Sequence, residues 1–525
     1  LDAMNPPSIF NDIIGPIMRG PSSSHCAAAV RIGRIARDLM DGDLQKVRID
    51  IDENGALATT HTEQGTDMGL FAGLLGWEAT DERLPRSDAA IREAGIETTF
   101  ILGNFGFDHP GAFRLLLENR RERHEMTVVS TGGGMISVTD LDRIPVSMTG
   151  DCCEVLIFCD SRGDEVKAHL SGKINAADEI LLHQGADFQL VEVKTRDFPV
   201  EDHASDLCSR FPVRAIRKLS PVLPVPSCRG AQVPFLTASE LLSYNEGKNL
   251  DLWELAVSYE MARGKLSHDE VFQKMKDLVL IMSESALTGI RGTEYEDRIL
   301  GPQAVAFNKS MQGRHLLEAG VLNQMILYVT ALMDMKSSLG VIVAAPTAGS
   351  CGGLPGAVLG AANALELSTD DMTRAMLAAG LIGIFISHRS TFAAEVGGCQ
   401  AEAGAGSGMA AAALVTLAKG NLAQALAASS MAIQNVLGMI CDPVANRVEV
   451  PCLGKNVMAA SNALACANMA LAGFEEVVPL DEVIEVMDEV GRSIPAPLRC
   501  TALGGLSITR TSMKITRQLK EKKQH

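Results

Sequence analysis

Aromatic side chains are what this chain has least of: Phe, Trp and Tyr make up 4% of its 525 residues, with only two Trp and four Tyr. A core short of large rings must close by bringing small residues together, and Ala, Gly, Met and Leu are abundant. Closely packed helices with small residues at their contacts are the expected result. Positive charge is also in deficit. The 47 Lys and Arg face 64 Asp and Glu, a net charge of −17, which argues against a nucleic-acid surface. The basic run through Lys514, Arg517, Lys520, Lys522 and Lys523 reads as a solvated end. Disorder is excluded as the general state, because 46% of the residues are hydrophobic.

A targeting segment and a membrane span are likewise not expected. The opening residues, Leu1-Asp2-Ala3-Met4-Asn5-Pro6-Pro7, have no basic stretch followed by an apolar run, and Leu1–Ala3 read as a remnant before an initiator Met4. Ser337–Leu365 carries no charge, as a span would require. Pro346, Pro355 and the Gly349–Gly353 break would leave backbone groups unsatisfied in lipid, so a buried loop and helix fit better. The 12 cysteines, with no secretory signal, point to a reducing compartment, and a cytoplasmic protein is expected.

About three to four domain-sized units are expected from the length. Residues 9–145 read as α/β. Val47-Arg48-Ile49-Asp50-Ile51 alternates like a strand and runs into a turn at Asp52–Gly55, while Ala27–Met40 has helical periodicity. Met126–Val129 and Met135–Val138 read as strands around Gly132-Gly133-Gly134. Residues 146–205 form a smaller α/β segment with strand candidates at Val155–Phe158 and Phe188–Val193, a place for a regulatory amino-acid-binding fold. Residues 206–235, rich in Pro, read as a linker. Residues 236–517 read as helical, with candidate capping boxes at Thr237/Glu240 and Ser267/Glu270. Gly408–Val415 has no polar face and is expected to be buried. The fold class is therefore an α+β N-terminal domain followed by an all-α, Ala/Gly-rich catalytic domain. Such helices also suit packing between subunits, and a homo-oligomer is expected.

Three segments draw attention to chemistry. Cys399, Cys441 and Cys452 follow a Cys-x41-Cys-x10-Cys spacing, with no obvious fourth ligand nearby. Three thiolates suit a cluster that keeps one iron open, although buried structural cysteine is the commoner reading of the spacing alone. No His lies between His388 and His525, so a zinc site would need a fourth ligand from elsewhere. Gly20-Pro21-Ser22-Ser23-Ser24-His25 precedes a helix; it suits either a carboxylate site or an N-cap with a surface His. Ala345–Gly356, rich in Gly, either lets the backbone approach a ligand or makes a tight turn between helices.

Together with Ala394–Gln400, Cys441-Asp442-Pro443-Val444, Val450-Pro451-Cys452 and Thr501–Leu506, these segments resemble the iron–sulfur L-serine dehydratases over nearly the whole chain. The resemblance is to the single-chain form, with the β-type domain first. It implies a [4Fe-4S] cluster held by Cys399, Cys441 and Cys452, with the fourth iron open to a serine hydroxyl. It implies substrate contacts from Ser22, Ser23, Ser24, Thr347 and Gly349, and dehydration and deamination of L-serine to pyruvate and ammonia. His25 is the first candidate for the base. Many relatives carry a His before a Gly-Thr-Asp sequence, where this chain has Gln64; His61 is the substitute candidate, and His109 sits in a further family-like segment. Cys351 is not expected to be a ligand. The competing readings are an iron–sulfur lyase for threonine or cysteine, and a non-catalytic amino-acid sensor built on the middle segment.

Overall fold

The computed structural model describes residues 6–523 except 175–178, 197, 199–202 and 227–230. The reading of Leu1–Ala3 and Met4 therefore lies outside the described residues. Alternation at Val47–Ile51 matures into β2 (Lys46–Asp52), the second strand of the chain after the two-residue β1 (Ile17–Met18). It joins β3 (Glu97–Gly103), β4 (Ala112–Glu118), β5 (Arg123–Gly132), β6 (Met135–Leu141) and β7 (Ile144–Met148) in a sheet of order β3-β2-β4-β5-β6-β7. Only the β2–β3 pair is parallel. The helices Ala28–Leu39 and Thr66–Leu74 cover this sheet through Ile32, Ile35, Leu39, Leu70 and Leu74, all buried.

The middle segment continues with β8 (Cys153–Cys159), a helix at Gly163–Ser171, β9 (Glu179–Gln184), β10 (Gln189–Thr195), a helix at Ala204–Arg210 and β11 (Val213–Leu219). The order β11-β8-β10-β9 with this βαββαβ sequence is the ferredoxin-like arrangement. The structure thus places a strand inside the Pro-rich stretch read as linker. Pro212 and Pro221 flank β11 without interrupting its ladder to β8. Arg217 Nε donates to Leu39 O at 2.9 Å and Ser220 N to Asp38 at 2.8 Å, fastening this sheet to the first one.

From Ala238 onward the described chain is almost entirely helical. Ser267 and Glu270 form a reciprocal capping box. At Thr237 the hydroxyl caps Glu240 N, while the Glu240 carboxylate reaches Leu236 N. The helix Ala405–Leu417 lies at the centre, eleven of its 13 residues having no polar side chain, and packs on Thr369–Arg389, Leu422–Gln434 and Cys452–Leu471. Twelve of the 13 residues of this Ala/Gly-rich helix are buried within the chain. Among the described residues no helix is long and apolar enough to cross a membrane; the Ser337–Leu365 stretch contains the short strand β12 (Ile342–Val343) and the helix Gly353–Ala364.

The chain's first described segment belongs with the helical half rather than with the sheet. Ile9, Phe10, Ile13 and Ile14 enter the helical core. Ile9 N donates to the buried Glu260 at 2.9 Å, and β1 pairs antiparallel with β12. The two halves are therefore clamped at the residues just before Ser22.

One close contact sets the position of the Ser22–His25 turn. A Cβ on Gly69 would lie 2.1 Å from Cys26 O. Gly69→Ala is expected to cost about 1–3 kcal/mol through overpacking. Gly172→Ala, where nothing lies within 4 Å, is the control. A melting temperature lowered only in Gly69→Ala, read by calorimetry, is the expected result; equal melting of both variants would contradict it.

Candidate metal centre and its surroundings

Three separate segments carry the thiols of interest. Cys399 follows the short helix Ala394–Gly397, where Gly398 turns the chain at φ +73°. Cys441 sits in a loop whose backbone pairs with the stretch at Leu498–Cys500: Cys441 N donates to Leu498 O at 2.8 Å and Cys500 N to Cys441 O at 3.0 Å. Cys452 begins the helix Cys452–Leu471. All are buried.

The Sγ atoms of Cys399 and Cys441 and a carboxylate oxygen of Glu402 lie within 4.8 Å of one another. Hydrogen bonds with the Cys399 and Cys500 thiols, together with burial, raise the Cys441 pKa well above the usual thiol value. Burial and the Cys399 charge likewise raise Cys452. A crowded set of dry sulfurs resists ionisation unless a cation joins it. Soft thiolate donors of this kind suit an iron–sulfur cluster, so the residues present fit the group. The set differs from the three cysteines expected: Glu402 and Cys500 stand with Cys399 and Cys441, while Cys452 lies outside this 4.8 Å group and is linked to it through the Cys399 charge. Lys455 also faces the nest, its Nζ 3.6 Å from Cys399 Sγ and 3.1 Å from Asp442.

Side chains from the N-terminal half close over this nest. Gln64 Nε2 donates to Asn446 Oδ1 at 2.9 Å and lies 3.4 Å from Cys500 Sγ. Asn446 Nδ2 in turn donates to Thr59 O at 2.6 Å. Ala445, Asn446, Cys500 and Ala502 all have positive φ, near +50 to +58°. Non-glycine residues held in this region cost about 1–3 kcal/mol each and cluster where function demands a shape.

The hydroxyl segment meets the glycine segment directly. Ala348 N donates to Ser23 Oγ at 3.1 Å. Ser22 and Ser24 hydroxyls lie 3.0 and 3.2 Å from His25 Nδ1, and His25 Nε2 lies 2.9 Å from Thr60 Oγ1. Thr347 Oγ1 donates to Glu402 at 2.7 Å, and Gly349 leaves room for that carboxylate, which a Cβ would approach to 2.9 Å. Burial raises the Glu402 pKa despite the Thr347 bond.

The two histidines are shifted in opposite directions. Burial, helped by the nearby His61, pushes the His25 pKa down to about 3, so His25 is neutral at pH 7. His61 is half-buried. Burial would lower it, but the hydrogen bond to Asp67 at 2.6 Å and the charges of Asp67 and Glu63 outweigh that, and its pKa is raised. Its ring stacks on Phe100 rather than entering the thiol nest. His109 accepts from Gly111 N at 3.0 Å, closing its own turn. Cys351 is buried against Met333, with its pKa pushed up to about 12 by burial.

A cavity of about 470 Å³ lies beside these groups, between Pro21, Gly65 and Asp67 of one half and Lys336, Arg447 and Glu449 of the other. Glu402, Cys500 and Lys336 are the neighbours that sequence reasoning missed. Glu402 follows Cys399 by three residues, a spacing that one helical turn brings together. Nothing in the local sequence links Cys500 to Cys441.

Residues 247–507 match the serine dehydratase alpha chain family. The chain is similar to L-serine dehydratase 1 of Escherichia coli, 33% identical over 503 residues, covering 93% of this chain and 96% of the relative. It is also similar to the L-serine dehydratase alpha chain of Peptoniphilus asaccharolyticus, 37% identical over 289 residues, 54% of this chain and 98% of the relative. A third relative, the probable L-serine dehydratase alpha chain of Bacillus subtilis, is 33% identical over 285 residues, 54% of this chain and 95% of the relative.

The opposed histidine environments give a direct expectation. In Asp67→Asn the partner charge is gone and burial remains, so the His61 pKa falls from above 6.5 to below it. An imidazole titration followed by NMR reads this; an unmoved midpoint would show that Asp67 does not set the charge of His61.

Proposed function

The chain belongs to the L-serine dehydratase family, and from that premise we propose that it dehydrates and deaminates L-serine to pyruvate and ammonia, using a [4Fe-4S] cluster held by Cys399, Cys441 and Cys452. The observation that carries the reading is the convergence of Cys399 and Cys441, from segments 42 residues apart, in a buried nest faced by the other half of the chain. When bound, the cluster supplies a Lewis-acidic iron that makes hydroxide a better leaving group.

The chain's own residues supply the rest. Ser22, Ser23, Ser24, Thr347 and Gly349 are assigned to the substrate side of the nest. Removing the α-proton needs an unprotonated base; in His25 the lone pair is on Nδ1, facing the Ser22 and Ser24 hydroxyls, because Thr60 Oγ1 donates to Ala56 O and accepts from Nε2. His25 is neutral at pH 7, while His61 is drawn towards its protonated form by Asp67. His25 is therefore assigned as the base, with Thr60 Oγ1 at its Nε2 and the Ser22 and Ser24 hydroxyls at its Nδ1 fixing the ring plane. Closing the two halves over the nest keeps water from competing for the departing proton and hydroxide. The product eliminated is aminoacrylate, which tautomerises and hydrolyses to pyruvate and ammonia.

A second reading keeps the chemistry and changes the substrate to another small amino acid, threonine or cysteine. Gln64 favours it, because an amide stands beside the nest where many relatives carry an imidazole. The ferredoxin-like middle segment is assigned a regulatory, amino-acid-binding role within either reading.

The test is pyruvate formation from L-serine by protein purified and iron-reconstituted without oxygen, beside Cys441→Ala. Turnover in the parent, and none detectable in a variant that still melts cooperatively, is expected. Equal turnover in both would overturn the cluster assignment. An iron-loaded parent active on cysteine or threonine and silent on serine would select the second reading.

A further inference from the structure

We propose that Lys336 receives the α-carboxylate of the substrate; this rests on the amino-acid lyase reading above. Lys336 is fully buried in the last turn of the helix Val321–Ser337. Its ammonium has three donors, and its hydrogen bond is to the main-chain carbonyl of Val448. Among the described residues it makes no ion pair. Burying a cation out of ion-pairing reach of a carboxylate is costly, and an arriving anion offsets that cost. The helix C-terminus offsets only part of it.

Its position selects the anion. Lys336 lines the 470 Å³ cavity whose opposite wall is Pro21 and Gly65, the neighbours of Ser22 and Gln64. Its charge is felt by Glu402 and Cys452, so the ammonium that lines the cavity lies within electrostatic range of the thiol nest. An amino acid enters as a zwitterion. Its ammonium is repelled by Lys336 and its hydroxyl is claimed by the metal side, which leaves the carboxylate. Of the hydroxyls expected to take that carboxylate, Ser22 and Ser24 are engaged with His25, while Ser23 accepts from Ala348 N and keeps its own O–H to donate, so the serines offer hydrogen bonds but no charge. The serines therefore shape the site, and Lys336 supplies its charge.

The test compares anaerobic holoenzyme with its Lys336→Met and Lys336→Arg variants. The readouts are KM and kcat for L-serine, inhibition by L-alanine and by L-alaninamide, and visible absorbance of the cluster. Alanine keeps the carboxylate and lacks a leaving group; the amide lacks the negative charge. In Lys336→Met, KM and the alanine inhibition constant are expected to rise about 10- to 100-fold, the worth of a charge-assisted hydrogen bond. In that variant kcat and cluster absorbance stay near the parent's, and the preference for alanine over alaninamide disappears. Lys336→Arg restores that preference. Unchanged KM and preference in Lys336→Met would overturn the proposal. So would loss of the cluster absorbance, which would make Lys336 a counter-charge to the metal. A parent that binds alanine yet lacks serine turnover would sink the serine reading alone, because the alanine comparison still reads the carboxylate contact.

Discussion

Sulfur atoms that cannot easily ionise together are held together out of water, and the rest of this structure is arranged around that constraint. Cys399, Cys441 and Cys500 share hydrogen-bonding contact, and Cys452 lies close enough for its charge to matter. Without a cation, burial and mutual contact favour the neutral thiols. A bound cluster reverses that preference and turns the same crowding into affinity, because ligand deprotonation and metal binding are linked. Glu402 and Lys455 complete the surroundings with one carboxyl group and one ammonium, so the nest is polar on its rim and dry at its centre.

Holding the nest requires two halves of the chain at once. Small residues let the central helix Ala405–Leu417 sit among its neighbours at close range, and this gives rigid termini for Cys399 and Cys452. Against that frame the loops at Ala445–Asn446 and Cys500–Ala502 adopt left-handed backbone, a strain offset by Asn446 and Gln64 bridging to the N-terminal half. The buried segment at Ile9–Ile14 performs the complementary task. It anchors in the helical core and so delivers Ser22–His25 against Thr347–Gly349.

Much of this was legible in the sequence because it rests on local rules. Alternation marked β2, the glycine turn marked β5 and β6, and the absence of any polar side chain marked the burial of Gly408–Val415. What escaped reading depends on contacts distant in sequence. β11 lies in a Pro-rich stretch, yet its prolines flank the strand, and only pairing with β8 reveals it. Ile9–Ile14 falls at the start of the stretch read as α/β, and only its packing into the helical core shows otherwise. Cys500 is 59 positions from Cys441 and joins it through a backbone bridge that no spacing rule anticipates. Lys336 looks like an ordinary charged residue near a helix end until its burial, with a main-chain carbonyl as its hydrogen-bond partner, is seen.

The central claim is that the three cysteines at 399, 441 and 452 hold one iron–sulfur cluster at the junction of the two halves. Iron and acid-labile sulfide per chain, measured after anaerobic reconstitution in the parent and in Cys399→Ser, Cys441→Ser and Cys452→Ser, test it most directly. The account predicts about four of each per parent chain, with loading lost in every variant. A parent that takes up no iron and sulfide, or three variants that load as fully as the parent, would contradict it.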